Sequence, residues 1–269
     1  MDELCAHPGT VADYDDYVRL FAQLQIDDPI PARETWAREL APHAIFLSRG
    51  GRNVAYAVAL PFGSEAHLLH VVVDQPERGR GVGRRLLLHV GERLRGQGCE
   101  AVRLNVKVGN EPAIRLYASM GFDVHHRSAV VRLPWSALQR MGASDGVAVR
   151  VPGAADDEGI ERRHDLVEGQ LRAWRERGHG LLLAERAGRD AGFARHTVVG
   201  AMPFRAQGLA PARALLEAIR PHAPPAATHV QLVLEGQDDL AAALRDAGAV
   251  LLFEIFHMRG PVPGASRAA

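Results

Sequence analysis

The 269-residue sequence has little cysteine and no long apolar run. Its two cysteines, Cys5 and Cys99, are too few for a disulfide framework or a cysteine metal site, so we expect free, buried thiols in a reducing compartment. No stretch is apolar over the roughly 20 residues that a membrane-spanning helix needs, and the acidic, polar start does not predict a signal peptide. The sequence therefore predicts a cytoplasmic protein without a metal site.

The sequence also lacks net charge. Its 32 basic residues balance 32 acidic ones, so the charge gives no indication of nucleic acid or an anionic membrane surface as a partner. Lys107 is the only lysine, and arginine supplies the remaining positive charge. The length fits one large domain or two of ordinary size.

What the sequence does contain is a run of glycine and arginine between an apolar strand and a helix. Residues 71–90 read VVVDQPERGRGVGRRLLLHV. Residues 68–73 are apolar on both parities, as in a strand covered on both faces, and residues 83–97 carry a helical apolar stripe. Glycine permits a tight turn and a close approach to a ligand, and the first amides of a helix have no intrahelical partner. The junction therefore predicts a phosphate-binding site.

Two familiar phosphate motifs do not fit this junction. A Walker-type loop needs a lysine followed by serine or threonine after its last glycine, and neither is present. A dinucleotide-binding fingerprint needs a third glycine where Arg84 stands. The other interpretation of the run is a tight turn with solvated arginines.

The sequence around the junction predicts alternating strands and helices. Residues 101–108 alternate as a strand does, and Asn110 is a good N-cap for a helix that Gly121 ends. The other expected elements are a hairpin at 44–60, closing strands at 122–127 and 129–134, and two helices within 11–42 that the segment DDPIP separates.

A second, weaker copy of this pattern follows. Gly208 comes 127 positions after Gly81, and Gly248 comes 127 positions after Gly121, which predicts an internal repeat. The second copy is roughly ten residues shorter before its glycine loop, so we expect a strand there to be lost or shortened. The expected organisation is a domain at 1–138, a linker at 139–146, a second domain at 147–260 and a disordered tail at 261–269.

The first copy resembles the GNAT N-acetyltransferase superfamily. Its loop RGRGVG is followed, at the family's spacing, by GNEPAIRLYASMGF at 109–122. The resemblance is good over about residues 4–134 and faint over 147–260, and the tandem arrangement is similar to two-domain members in which one copy is usually catalytic. It implies an α/β fold of two tandem GNAT-like domains, each a mixed, mostly antiparallel sheet flanked by helices, with the second copy degenerate.

The resemblance implies that the phosphate is the pyrophosphate of acetyl-CoA, acting as a co-substrate. Backbone amides of the glycine loop would hold the pyrophosphate, and the strand before it would pair with the pantetheine arm as an added strand does. Asn110 would contact the arm further along, and Tyr117 would protonate the leaving thiolate. The residues implied for acetyl-CoA are Val71, Val73, Arg78, Gly79, Arg80, Gly81, Val82, Gly83, Arg84, Asn110 and Tyr117.

Tyr117 and His67 are the expected catalytic residues, and each has an alternative. Tyr117 lies on the apolar stripe of its helix, so periodicity alone makes it a core tyrosine whose hydroxyl has a partner. His67 shares a strand parity with Val71 and Val73, whereas His70 has the opposite parity. In some family members a Glu or His at this position accepts the amine proton, and a packed or surface histidine is the equal alternative.

The amine substrate stays open at this point. Asp27 and Asp28 lie where the family often admits substrate and could attract an ammonium group, or they form a solvated turn. Asn105 stands where the ribosomal-protein acetyltransferases carry Glu, which disfavours N-terminal peptide acetylation. We expect transfer of acetyl from acetyl-CoA to a primary amine of a small molecule or peptide, by direct attack in a ternary complex. The alternative is a non-catalytic acetyl-CoA-binding or structural tandem protein.

The second copy is not expected to be catalytic. Leu244 stands where Tyr117 stands in the first copy, and Ala194 replaces His67. The loop at Arg205 keeps the spacing of a phosphate loop, but the matched positions offer neither an acid nor a base.

Overall fold

The computed structural model describes residues 3–24, 29–198 and 200–264. Its contacts divide the chain into two compact units. The first unit comprises Met1–Val106, Asn110–Asp123 and Met258–Ala269, and the second comprises Lys107–Gly109 and Val124–His257.

The first unit is built on an antiparallel sheet that ends in one parallel pair. Strands β1 to β4 pair antiparallel in chain order, and β5 lies parallel to β4. The strands are β1 (Cys5–Pro8), β2 (Ala44–Arg49), β3 (Arg52–Phe62), β4 (Glu65–Val73) and β5 (Ala101–Lys107). The helices are α1 (Tyr14–Phe21), α2 (Arg33–Thr35), which continues in helical turns to His43, α3 (Val82–Gly96) and α4 (Glu111–Ala118).

Each face of this sheet carries its own apolar layer. Aromatic residues dominate one layer, where Tyr17 of α1 stacks on Trp36 with ring centroids 4.4 Å apart and meets Tyr56 of β3 edge-on at 5.3 Å. Leucine and valine dominate the other, where the apolar stripe of α3 is buried. Burial of both faces explains why the sequence of β4 is apolar on both parities.

The second unit repeats this plan. Its strands are β6 (Asp123–Pro134), β7 (Val147–Arg150), β8 (Gly180–Arg186), β9 (Arg189–Thr197), β10 (Gly200–Ala206), β11 (His229–Glu235) and β12 (Val250–Pro261). Asp123 at the start of β6 and the residues of β12 from Met258 on belong to the first unit. Its helices are α5 (Asp157–Arg163), α6 (Gln170–Glu176), α7 (Leu209–Ile219) and α8 (Asp238–Asp246). The starts of α7 and β12 follow those of α3 and β6 by 127 positions each, so the structure contains the repeat that the glycine spacing predicts.

The division between the units differs from the predicted one. Residues 122–134 do not form two strands but the single strand β6, since Ser128 supplies no break. β6 pairs with β11 from Ser128 to Pro134, and this pairing places it in the second unit. Leu138 and Met141, at the edges of the predicted linker, are buried in the core of the second unit. A boundary at Asp123 therefore replaces the linker at 139–146.

The predicted disordered tail is ordered over the residues that the structure describes. Val262 is 1% exposed and its N–H donates to the carbonyl of Glu100, while Arg95 donates to the carbonyl of Pro263 at 2.6 Å. The rest of the predicted tail, 265–269, lies outside the described residues.

The shortening of the second copy falls mainly in a loop. Every strand of the first copy has a counterpart, so no strand is lost. Between β4 and α3 the first unit has residues 74–81, whereas between β10 and α7 the second unit has only residues 207–208. The missing segment is therefore the glycine loop itself.

Candidate active site

The glycine loop delivers an uncapped helix N-terminus. Gly79 and Gly81 adopt left-handed φ values of 74° and 76°, which residues with a Cβ rarely adopt. Gly81 is the N-cap of α3 and provides no side-chain cap. The first intrahelical bond is the one from Arg85 N to the Gly81 carbonyl, so the backbone N–H groups between them have no partner within the helix. This arrangement fits an anion, because those N–H groups and the helix dipole both favour negative charge.

A gap opens between β4 and β5 beside this helix start. The parallel pairing of the two strands runs from Glu65 to Leu68 on β4, where Leu68 faces Leu104. β4 continues to Val73 without a partner on that side among the described pairings. The strands therefore diverge toward the glycine loop.

The register of β4 decides which backbone groups face the gap. Asp74 N donates to the carbonyl of Val54 at 2.8 Å, which makes these two residues a hydrogen-bonded antiparallel pair. Since such pairs alternate, the N–H and C=O groups of Val71 and Val73 point away from β3 and into the gap. These backbone groups form a sheet edge that can pair with one more strand.

Arg78 uses part of this edge. Its Nε donates to the carbonyl of Val73 at 2.9 Å, and its Nη2 donates to the side-chain oxygen of Gln23 at 3.2 Å. The guanidinium therefore fixes the loop against the end of β4, whereas the alternative interpretation of the sequence was a turn with solvated arginines.

Tyr117 lies on the buried side of α4. The residue is 7% exposed, and its ring packs against Phe122 with centroids 5.9 Å apart. Its hydroxyl makes no hydrogen bond with any residue that the structure describes, although a core tyrosine ordinarily has a partner. Burial raises the pKa of Tyr117 above its usual value, so the group stays protonated. A protonated, unused hydroxyl can donate a proton to a bound ligand.

Asn110 caps α4. Its side-chain oxygen accepts from the N–H of Ala113 at 3.4 Å, as its position before Pro112 predicts. The side-chain N–H₂ group bonds none of the residues that the structure describes, so it can contact a ligand.

A β-bulge changes the orientation of the two histidines in β4. The register with β3 shifts after Val58, so Leu69 is an extra residue opposite no partner. His67 pairs with Leu60 and His70 pairs with Val58, and these β3 residues lie on the same face. The prediction that the histidines lie on opposite faces is therefore wrong, because a single inserted residue reverses strand parity.

His70 sits in the aromatic layer. Its ring lies 5.3 Å from Phe21 and 6.0 Å from Tyr56, centroid to centroid, and its Nδ1 is 3.5 Å from the Tyr56 hydroxyl. Burial, and to a smaller extent neighbouring His67, lowers the pKa of His70 to about 4. His70 is therefore neutral at neutral pH.

The acidic residues predicted near the substrate, Asp27 and Asp28, lie outside the described residues. Within the described part, no group of three or more histidine, cysteine or acidic side chains could hold a metal ion. No helix there is long and apolar enough to cross a membrane. Both cysteines are free; Cys99 is buried as expected, but Cys5 is exposed because it lies on the edge strand β1.

The second unit has an equivalent gap. β10 and β11 are paired in parallel only at Gly200 and Ala201, after which they diverge. Gln207 N donates to the carbonyl of Ala191 at 2.8 Å, so the backbone groups of Ala206 face this gap as those of Val73 face the first.

The protein's own side chains close the second gap. Gln237, the N-cap of α8, donates to the Ala206 carbonyl at 3.0 Å and accepts from the Ala206 N–H at 3.3 Å. Arg205 forms an ion pair with Glu235 at 2.5 Å. Arg205 therefore lies in a strand and not in a phosphate loop, contrary to the sequence pattern. Leu244 and Ala194 are fully buried core residues.

Comparison with known proteins agrees with this architecture. Residues 12–122 match the Acetyltransferase (GNAT) family. The chain is 39% identical to the N-alpha-acetyltransferase RimI of Mycobacterium tuberculosis over 124 residues, which are 42% of this chain and 75% of that protein. It is 35% identical to the [ribosomal protein bS18]-alanine N-acetyltransferase of Escherichia coli over 77 residues, which are 29% of this chain and 52% of that protein. The chain thus covers about half the length of the latter enzyme.

The fold as a whole is similar to tandem structures. A tandem GNAT protein from the clavulanic acid biosynthesis pathway aligns with a TM-score of 0.62 and 16% identity, covering 98% of this chain and all of that one. The chain belongs to the GNAT acetyltransferase family and has the two-copy form of its fold.

Proposed function

We propose that the first unit transfers the acetyl group of acetyl-CoA to a primary amine. The observation that carries this proposal is the juxtaposition of an uncapped helix N-terminus with an unpaired strand edge. The helix start suits a pyrophosphate and the edge suits the amide groups of a pantetheine arm. In this proposal the N–H groups from Gly79 to Arg84 hold the pyrophosphate, Val71 and Val73 pair with the arm, and the Asn110 side chain contacts it further along.

The residues of the site support direct attack without a covalent enzyme intermediate. The uncharged amine nitrogen forms a bond to the thioester carbon, and the carbon–sulfur bond breaks. Backbone N–H groups facing the gap polarise the carbonyl, and the strand holds the two reactants in position. Tyr117 gives its proton to the departing sulfur, which its protonated and unbonded hydroxyl suits.

His67 is the proposed acceptor of the proton that the amine loses. It shares a face with His70, but His70 is a poor acceptor because its pKa is about 4. A base works best when its pKa lies near the operating pH. We therefore assign His67 as the base and His70 as part of the packed aromatic layer.

The amine belongs to a small molecule or a peptide. The relatives from E. coli and M. tuberculosis are named for acetylation of ribosomal-protein alanine and of α-amino groups, which supports a peptide amine. Asn105 offers an amide where we expect those enzymes to have a carboxylate base, so a peptide substrate would need His67 in that role. We place the reaction in the cytoplasm, where the two free thiols stay reduced.

The second unit is proposed to be non-catalytic and unable to bind acetyl-CoA. Its loop is too short to carry the glycine turn, and Gln237 already bonds the strand edge that a pantetheine arm would use. The fixed contacts of Arg205 and Gln237 support a structural role.

Titration calorimetry with acetyl-CoA, followed by an assay of CoA release with a panel of amines, tests the proposal. We expect one acetyl-CoA per chain and turnover with at least one small-molecule or N-terminal peptide amine. Two sites per chain would contradict the assignment of the second unit. Binding without turnover on any amine would favour the non-catalytic alternative.

A further inference from the structure

A buried carboxylate stands at the point where β4 enters the glycine loop. Asp74 directly follows the strand, and its side chain is 8% exposed. One oxygen accepts from Arg19 and Arg52, each at 3.0 Å, and the other accepts from the side-chain N–H₂ of Gln23 at 2.8 Å. Burial works against this charge, but the bond from Gln23 and the two arginines hold the pKa of the Asp74 carboxyl below its usual value. Because two arginines neutralise its charge, the Asp74 carboxylate repels a phosphate bound at the loop only weakly.

Gln23 joins this carboxylate to the loop. While its N–H₂ donates to Asp74, its side-chain oxygen accepts from the backbone N–H of Gln75 at 3.1 Å and from Arg78 at 3.2 Å. Gln75 is the first loop residue after Asp74, and Arg78 begins the RGRG run. One side chain, located just after α1, thus holds the loop at two places and is itself oriented by Asp74.

The bonds of Gln23 can affect acetyl-CoA binding only if the loop must adopt one particular conformation to hold the pyrophosphate. The loop contains two left-handed glycines and is exposed at its tip, so few contacts of its own restrict it. Besides the bonds from Gln23, the side-chain contacts of its first half include the bond from Arg78 to the Val73 carbonyl and an ion pair between Glu77 and Arg49 at 3.3 Å. Of these, only the Gln23 bonds connect the loop to the segment after α1.

We propose that Gln23 is a positioning residue for acetyl-CoA, holding the glycine loop in the shape that receives the pyrophosphate, with Asp74 orienting Gln23. The inference rests on the proposed function. It predicts that Gln23 acts on the phosphate end of the donor and leaves the chemical step alone. Preorganisation of this kind raises affinity by lowering the ordering cost of binding.

The test compares Gln23→Met with the parent protein, using two acetyl donors. Methionine keeps the length and volume of glutamine but cannot make the three bonds. With acetyl-CoA we expect kcat/KM to fall about five- to tenfold, through KM, because two bonds to the loop are lost. With acetyl-pantetheine, which lacks the pyrophosphate, kcat/KM should be unchanged. Gln97→Met, at an exposed glutamine after α3, is the matched control and should leave both values unchanged.

Asp74→Asn provides an independent second variant. Asparagine has one acceptor oxygen where the carboxylate has two, so it cannot accept from the two arginines and from Gln23 at once. With its oxygen on the arginines, its N–H₂ faces the N–H₂ of Gln23, which must then give up either its anchor or its loop contacts, and the same donor-dependent loss is expected. An unchanged KM for acetyl-CoA in both variants, or an equal loss with both donors, would overturn the inference while leaving the proposed function intact. A parent protein that neither binds acetyl-CoA nor transfers its acetyl group would overturn both.

Discussion

His70 should make the stability of the protein depend on pH in a specific direction. In the folded protein its pKa is about 4, whereas an unfolded histidine titrates near 6.5. Between these values the unfolded chain binds a proton that the folded chain does not, so stability falls as pH falls through this window. The full contribution is present above pH 6.5 and is lost progressively toward pH 4.

The magnitude follows from the shift. The pKa of His70 is lowered from 6.5 to about 4, and at roughly 1.4 kcal/mol per pKa unit this gives an upper value of about 3–4 kcal/mol. His70 retains some solvent exposure, so we expect about 2 kcal/mol of this to be measurable. Such a loss is a sizeable part of the total stability of an ordinary domain.

The assay compares the parent protein with His70→Phe by urea unfolding at pH 7.5, 6.0 and 4.5. Phenylalanine fits among Tyr17, Phe21 and Tyr56 but cannot be protonated. The difference in unfolding free energy between parent and variant should shift by about 2 kcal/mol in favour of the variant as pH falls. His229→Phe is the control, because it removes a histidine that is exposed to solvent. Parallel pH profiles for the parent and His70→Phe would refute the reasoning.

The other predictions concern the site directly. Gly81→Asp and Gly81→Asn both introduce a residue that tolerates a left-handed backbone and can cap a helix. Calorimetry should show that the Asp variant binds acetyl-CoA at least about tenfold more weakly than the Asn variant, because only Asp repels the pyrophosphate. Equal affinities would place the pyrophosphate elsewhere. Tyr117→Phe should lower kcat at least about tenfold with little change in acetyl-CoA affinity or thermal stability, since the hydroxyl has no partner in the described structure; unchanged turnover would make Tyr117 a packing residue only. His67→Ala should flatten the pH dependence of kcat/KM near neutrality, and a normal profile in that variant would exclude His67 as the base.

Features set by local sequence could be predicted, and features set by distant partners could not. The structure contains the strand–loop–helix junction and the Asn110 cap, which depend on residues close in sequence. It also contains the 127-residue repeat, which a constant spacing between glycines indicates. The continuity of β6 depends on its pairing with β11, about a hundred residues later, and no pattern within 122–134 indicates it. The unit boundary shifts for the same reason.

The site shows the same limit. A bulge at Leu69 leaves no mark in an apolar strand sequence, yet it decides which face His70 occupies. The spacing of Arg205 and Gly208 imitates a phosphate loop, but the residues missing between β10 and α7 place Arg205 within the strand. The repeat spacing therefore identifies Gly208 correctly as the N-cap of α7. It misplaces Arg205, because the loop before the helix is shorter than in the first copy.

The contact of Gln237 with Ala206 shows how a strand end beside a gap in the sheet can be satisfied without a ligand. An acyl-CoA cleft interrupts a sheet, so whatever leaves the cleft exposes an unpaired N–H and C=O at the strand end. If these groups were buried without partners, each would cost about 1–3 kcal/mol. In the second unit the side-chain amide of Gln237 bonds both of these backbone groups of Ala206. The chain thus satisfies this strand end with an amide of its own, at the place that corresponds to the one proposed for the pantetheine arm in the first unit.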